Sequence, residues 1–117
     1  MKVTLYGIKN CDSIKKAKKW LENQNIAYNF HDYRVDGIDK SLIEQFLVSQ
    51  DWQVLLNKRG TTWRQQSEAV KSGINQQTAI DLMIAHPAMI KRPVLETDNQ
   101  LLVGFKADQY QEIFAAK

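Results

Sequence analysis

The stretch YGIKNCDSIKK, Tyr6 to Lys16, carries the chain's one cysteine, Cys11, between an apolar run and a series of lysines. A free thiol ionises at about pH 8.5, so little thiolate exists at neutral pH. A helix N-terminus or neighbouring cations lower that value and make the sulfur a nucleophile. Asn10 is a residue type that caps helices, which would place Cys11 where unpaired helix N–H groups converge. By type alone a lone cysteine is also a small hydrophobe suited to a core; its place between a strand and a helix is what favours a working thiol. The count of one excludes an intramolecular disulfide, a thiolate zinc cluster and a two-cysteine relay within one chain. Ile14 stands where a Cys-x-x-Cys motif would carry its second cysteine. A mixed disulfide on Cys11 would therefore be resolved by a thiol from another molecule.

Positioning such a thiol takes a strand, a tight loop and an amphipathic helix, and the local pattern provides them. Val3-Thr4-Leu5-Tyr6 reads as a buried strand closed by Gly7. Ile14, Ala17 and Leu21 recur at helical spacing, while Lys15, Lys16, Lys18 and Lys19 take the remaining faces as a solvated surface. Asn25 ends that helix, and Ala27 to Tyr33 alternates as a second strand. Asp39 caps a further helix with Leu42, Ile43, Phe46 and Leu47 inside. Residues 51–75 change character: a short helical piece from Trp52, a break at Asn57-Lys58-Arg59-Gly60, then a polar helix from Trp63 to Ser72 ending at Gly73. We read this as a helical insertion. Asn75 or Thr78 opens a helix that stops before Pro87. A strand from Pro93 to Glu96, a hairpin at Thr97 to Gln100, a strand from Leu101 to Val103 and a last helix from about Ala107 to Ala115 follow. The order βαβα then αββα predicts an α/β sandwich with a small mixed sheet.

The chain has 117 residues, 44% of them hydrophobic, the size of one domain able to bury a core without staples. The expectation is a single domain over residues 1–117. Sixteen Lys+Arg against 13 Asp+Glu give a net charge of +3, too mild to announce nucleic-acid binding. No basic-then-apolar leader and no apolar run near the roughly 18 residues of a membrane span are present. A soluble cytoplasmic protein is expected. His31, His86, Trp20, Trp52 and Trp63 read as strand, helix-end and packing residues, and no metal site is expected.

Taken together, VTLYGIKNCDSIKKAKKWL, NKRGTTWR, HPAMIKRPV and QLLVGF, in this order and spacing, carry a likeness over nearly the whole length. The chain resembles the arsenate reductase (ArsC)-like branch of the thioredoxin fold, which also holds the Spx-type transcription regulators, and within it the YffB-type proteins. The resemblance implies a thioredoxin-like fold with a small mixed four-stranded sheet flanked by helices. It implies a catalytic cysteine at Cys11, two arginines near it at Arg59 and Arg92, and a cis-proline at Pro93. Arginine supplies fixed charge and a bidentate fork for carboxylates or oxyanions.

The activity expected from this resemblance is that of a glutathione-dependent thiol reductase or thiol-transfer protein. No cofactor is expected to stay bound. Glutathione or another small thiol acts as co-substrate, with glutaredoxin as a further candidate. Asn10, Asp12, Ser13, Arg59, Arg92, Pro93 and Lys106 are expected to line the glutathione site. Arsenate itself is disfavoured by three departures from the reductase pattern: Gly7 in place of an upstream histidine, Asp12 directly after the thiol, and Phe105 where a third arginine is expected, although Lys106 beside it partly replaces that charge. A binding protein resembling Spx, docking on RNA polymerase, is the other class of function. Those regulators typically carry the Cys-x-x-Cys switch that this chain lacks.

Overall fold

A computed structural model describes residues 2–115 of the chain. These divide into two compact units: residues 2–36 with 92–115, and residues 37–91. In the first, β1 (Thr4–Gly7), α1 (Asp12–Asn23) and β2 (Asn29–Asp32) form a right-sized crossover that lets β1 and β2 pair in parallel, Thr4 opposite Asn29 and Gly7 opposite Asp32. After the second unit the chain returns as β3 (Val94–Glu96), β4 (Leu101–Val103) and a final helix (Ala107–Ala115). β3 pairs antiparallel with β1, Leu5 opposite Leu95, and β4 pairs antiparallel with β3, giving the sheet order β2-β1-β3-β4.

The helical spacing of Ile14, Ala17 and Leu21 places all three on the buried side of α1. Ala17 and Leu21 pack with Val3, Leu5 and Leu95 from the sheet and with Tyr110 and Ile113 from the final helix, so one face of the sheet carries both helices. Trp20 and Phe105 set their rings edge-on to Tyr110 at centroid separations of 5.6 and 4.8 Å. The lysine face of α1 is exposed at Lys15, Lys16 and Lys19, while Lys18 lays its ammonium 3.8 Å from the centre of the Phe30 ring.

The helix that carries the cysteine begins one residue later than its capping pattern suggests. Asn10 is not the N-cap: it takes a left-handed backbone with φ of 71°, and Cys11, extended at φ −88° and ψ 135°, occupies the cap. Asparagine tolerates the left-handed region better than most residues, so its use here is to turn the chain. Asn25, also left-handed at φ 57°, follows the end of α1 as expected.

Gly7 is needed for a close approach. A Cβ there would collide with Cδ1 of Ile14 and lie 2.9 Å from its Cγ1. Gly7→Ala should therefore lower the unfolding free energy by about 1–3 kcal/mol through overpacking of a well-filled site. Urea denaturation measures this, and combination with Ile14→Val should recover part of the loss because the two positions share one space.

The second unit is helical, and side-chain caps punctuate it. α2 (Lys40–Leu47) starts where the Asp39 carboxylate accepts the Leu42 N–H at 2.9 Å. α3 (Trp52–Leu55) starts on Asp51 in the same way. The expected single helix from Trp63 to Ser72 is instead two, α4 (Thr61–Arg64) and α5 (Glu68–Ser72). The reason is Ser67, whose hydroxyl accepts the Val70 N–H at 3.2 Å and begins a new helix. α6 (Gln76–Ala85) opens on a reciprocal capping box between Asn75 and Thr78. α2 and α3 pack against α6. A short 3₁₀ turn, Pro87–Met89, leads to a bridge between Leu56 and Ile90. The final helix of the first unit, Ala107–Ala115, is α7 in chain order. The strand expected from Ala27 to Tyr33 is shorter, Asn29–Asp32, because pairing stops where β1 ends at Gly7.

Candidate functional site

Cys11 sits half-buried at the mouth of α1, its carbonyl accepting the Lys15 N–H at 3.0 Å as the first bond of the helix. The sulfur makes no formal capping bond, yet the Ile14 and Ser13 N–H groups face it and favour its anion. Burial acts most strongly on the thiol and raises its pKa. Against this work a hydrogen bond from the Arg92 side chain, the Ile14 and Ser13 N–H groups and the charge of Arg92, and together they hold the thiol below the ordinary cysteine value. The thiolate is thus favoured by both a helix end and a fixed cation.

Arg92 reaches the sulfur from the start of β3. It is half-buried and precedes Pro93 through a cis peptide bond; the Pro93 carbonyl accepts the Gly104 N–H at 2.8 Å. The loop into β3 and the end of β4 are thereby joined next to the arginine. Asp12 is exposed in the first turn of α1, where a carboxylate suits the positive end of the helix. Lys106 is exposed, and its carbonyl accepts the Gln109 and Tyr110 N–H groups that open α7. Phe105, where the resemblance leads one to expect a third arginine, packs on Tyr110. Arg59 belongs to the second unit, exposed in the turn after α3, with its N–H donated to Asn57 Oδ1 at 3.0 Å. Of the residues singled out from the sequence, Cys11, Ser13 and Arg92 interact directly within the first unit.

Other groups near the thiol loop carry no motif. Asp32, at the end of β2, is buried to 6% exposure. Its Oδ2 accepts the Lys9 N–H at 3.1 Å and its Oδ1 the Arg34 N–H at 2.8 Å. Tyr6, His31 and Tyr33 form a ring cluster with centroids 5.1 to 6.3 Å apart. Burial pushes the Tyr33 hydroxyl well above the usual tyrosine range, Tyr6 adds to the shift and the Arg92 charge opposes it, so the hydroxyl stays neutral at physiological pH. No sequence signal marks this surrounding; the parallel pairing brings the end of β2 beside the end of β1.

Among the described residues no group of three or more His, Cys, Asp and Glu could hold a metal ion. No helix among them is long and apolar enough to cross a membrane.

A mixed sheet in the order β2-β1-β3-β4, with a cysteine at the N-terminus of its first helix and a cis-proline entering β3, defines a thioredoxin-like protein. The chain belongs to the ArsC family, whose model matches residues 6–113. It is similar to the solved structure of the YFFB (PA3664) protein, 48% identical, with 95% of this chain and 97% of that one covered and a TM-score of 0.90. It is similar also to the solution structure of an arsenate reductase (ArsC) related protein from Brucella melitensis, 51% identical, covering 97% and 95% of the two chains with a TM-score of 0.80. The global transcriptional regulator Spx of Lactiplantibacillus plantarum is 22% identical over 117 residues, 98% of this chain and 88% of that protein.

Proposed function

We propose that this protein is a glutathione-dependent thiol reductase in which Cys11 is the nucleophile and Arg92 binds a carboxylate of glutathione. The observation that carries the reading is the half-buried Cys11 sulfur held by Arg92 at a helix N-terminus, with its acidity raised. The thiolate attacks the glutathione-side sulfur of a mixed disulfide; a Cys11–glutathione disulfide forms and the substrate leaves as thiolate. A second glutathione thiolate then attacks that adduct, its own proton having gone to solvent. Glutathione disulfide leaves and the Cys11 thiolate is restored. One glutathione sulfur is oxidised for each substrate sulfur reduced, the other sulfur of the product disulfide having come already oxidised from the mixed disulfide, so no second protein cysteine enters.

Treatment with glutathione disulfide followed by intact-mass measurement tests this. One adduct, mapped to Cys11 and removed by added glutathione, is the expected result. Absence of any adduct at neutral pH would reject the reading.

Arsenate is the less favoured substrate within this reading, since Phe105 is engaged with Tyr110 rather than leaving a third cation at the site. The similarity to Spx over nearly the whole chain favours a second reading, a regulator that docks on RNA polymerase. Retention of RNA polymerase on the immobilised protein separates the two, because a thiol enzyme without a regulatory role does not hold it.

A further inference from the structure

We propose that Asp32 is a positioning residue for Cys11: its carboxylate holds the Lys9 N–H and so fixes the turn at Asn10 that delivers the sulfur to the start of α1. The inference rests on the reading of Cys11 as a nucleophile and adds to it the residue that builds the loop.

The two oxygens of Asp32 have different tasks. Oδ1 accepts the Arg34 N–H two residues on, a local turn of the kind aspartate commonly makes. Oδ2 reaches across to the other strand end and accepts the Lys9 N–H, a partner 23 residues earlier. The end of β2 is itself held in place. Asp36 Oδ2 accepts the Asp32 N–H at 2.9 Å, the Asp36 N–H is donated back to the Asp32 carbonyl at 2.7 Å, and the Tyr33 N–H is donated to the Gly7 carbonyl at 2.9 Å. The carboxylate is therefore anchored on a rigid strand end, and the connection from β1 to α1 is tied to it.

That connection needs a tie. Lys9 and Asn10 are exposed, and Asn10 holds the left-handed φ of 71°. Released, this turn would relax toward ordinary backbone, and Cys11 is the next residue. A displaced sulfur loses its alignment with the Ser13 and Ile14 N–H groups and with Arg92. The choice of a carboxylate follows from the two N–H donors that converge on it. An ionised aspartate offers two acceptor oxygens and no donor, whereas asparagine would turn an NH₂ toward one of them. A carboxylate this buried is stable only when its oxygens are satisfied in this way.

A merely structural or merely electrostatic role gives a different result. The charged residues hydrogen-bonded to Asp32 are Lys9 and Arg34, through their backbone N–H groups, and Asp36, through its carboxylate. Were Asp32 acting on the thiol only as a negative charge, its removal would ease formation of the thiolate and speed alkylation. Acting through position, its removal slows it.

The experiment measures the rate of Cys11 alkylation by iodoacetamide against pH in the full chain, for the wild type, Asp32→Ala and Asp32→Asn, together with amide hydrogen exchange at Lys9 in the wild type. The expected results are a protected Lys9 amide, a midpoint moved to higher pH and a rate at pH 7 lowered roughly tenfold in Asp32→Ala, with a smaller change of the same sign in Asp32→Asn. A Lys9 amide that exchanges freely in the wild type overturns the proposal whether or not either variant folds. So does a midpoint that falls in the variants. An ordinary cysteine midpoint in the wild type overturns the functional reading instead; a low wild-type midpoint that neither variant moves overturns the role of Asp32 alone.

Discussion

Arg92→Ala slows alkylation of Cys11 at pH 7 by roughly tenfold to a hundredfold, and the deficit closes as the pH rises above the variant's midpoint. Arg92 supplies both a hydrogen bond and a charge that lower the thiol's pKa, while burial, the strongest influence, raises it. Removing the arginine leaves burial opposed only by the Ile14 and Ser13 N–H groups, so the midpoint moves up. Arg92→Lys keeps a charge without the planar fork and falls between the two. Stability follows the same sign. A thiol whose pKa is lower in the folded state adds stability as the pH rises through its folded midpoint, in full above the ordinary value of about 8.5, and that gain is lost again as the pH falls. The variant shows less of this pH dependence. A rate profile for Arg92→Ala that superimposes on the wild type would show that the arginine does not activate the sulfur.

Cys11→Ser separates chemistry from folding. The hydroxyl is not ionised at neutral pH and forms no disulfide, so adduct formation ends and glutathione-dependent reduction falls roughly a thousandfold or more. Serine is at the same time a better helix N-cap than cysteine. With Cys11 in the extended cap conformation and no capping bond from the sulfur, the substitution should leave stability unchanged or raise it by about 0.5–1 kcal/mol. Thermal or urea unfolding measured beside turnover checks both halves. A serine protein that is fully active refutes the assignment of Cys11 as nucleophile.

The elements were legible where a local signal sets them. Asp39 and Asn75 cap their helices as their positions suggest, because capping involves only the next three residues. The break between Trp63 and Ser72 has no decisive signal in the sequence, because Ser67 competes with continuous helix and propensity alone does not settle that contest. Asn10 is ambiguous for a related reason: its type serves equally as a cap or as a left-handed turn, and the choice rests on the backbone around Gly7 and Cys11. At the site, Cys11 stood out by its uniqueness and its neighbours, but its partnership with Arg92 has no local pattern and came only from family resemblance. Asp32 had no signal of its own, since a strand-end aspartate looks the same whether it meets solvent or a loop 23 residues away.

The interlock of Gly7 with Ile14 limits how this chain could acquire its relatives' chemistry. By the resemblance, position 7 is where the reductases are expected to carry a histidine, and position 14 is where a Cys-x-x-Cys motif would place its second cysteine. Here a side chain at 7 and an isoleucine at 14 claim the same volume. A histidine at 7 alone meets a filled site, and a cysteine at 14 alone leaves a void above the glycine. Either innovation therefore has to be made as a paired change, and a lineage that has settled on glycine and isoleucine is separated from both by an intermediate that folds less well.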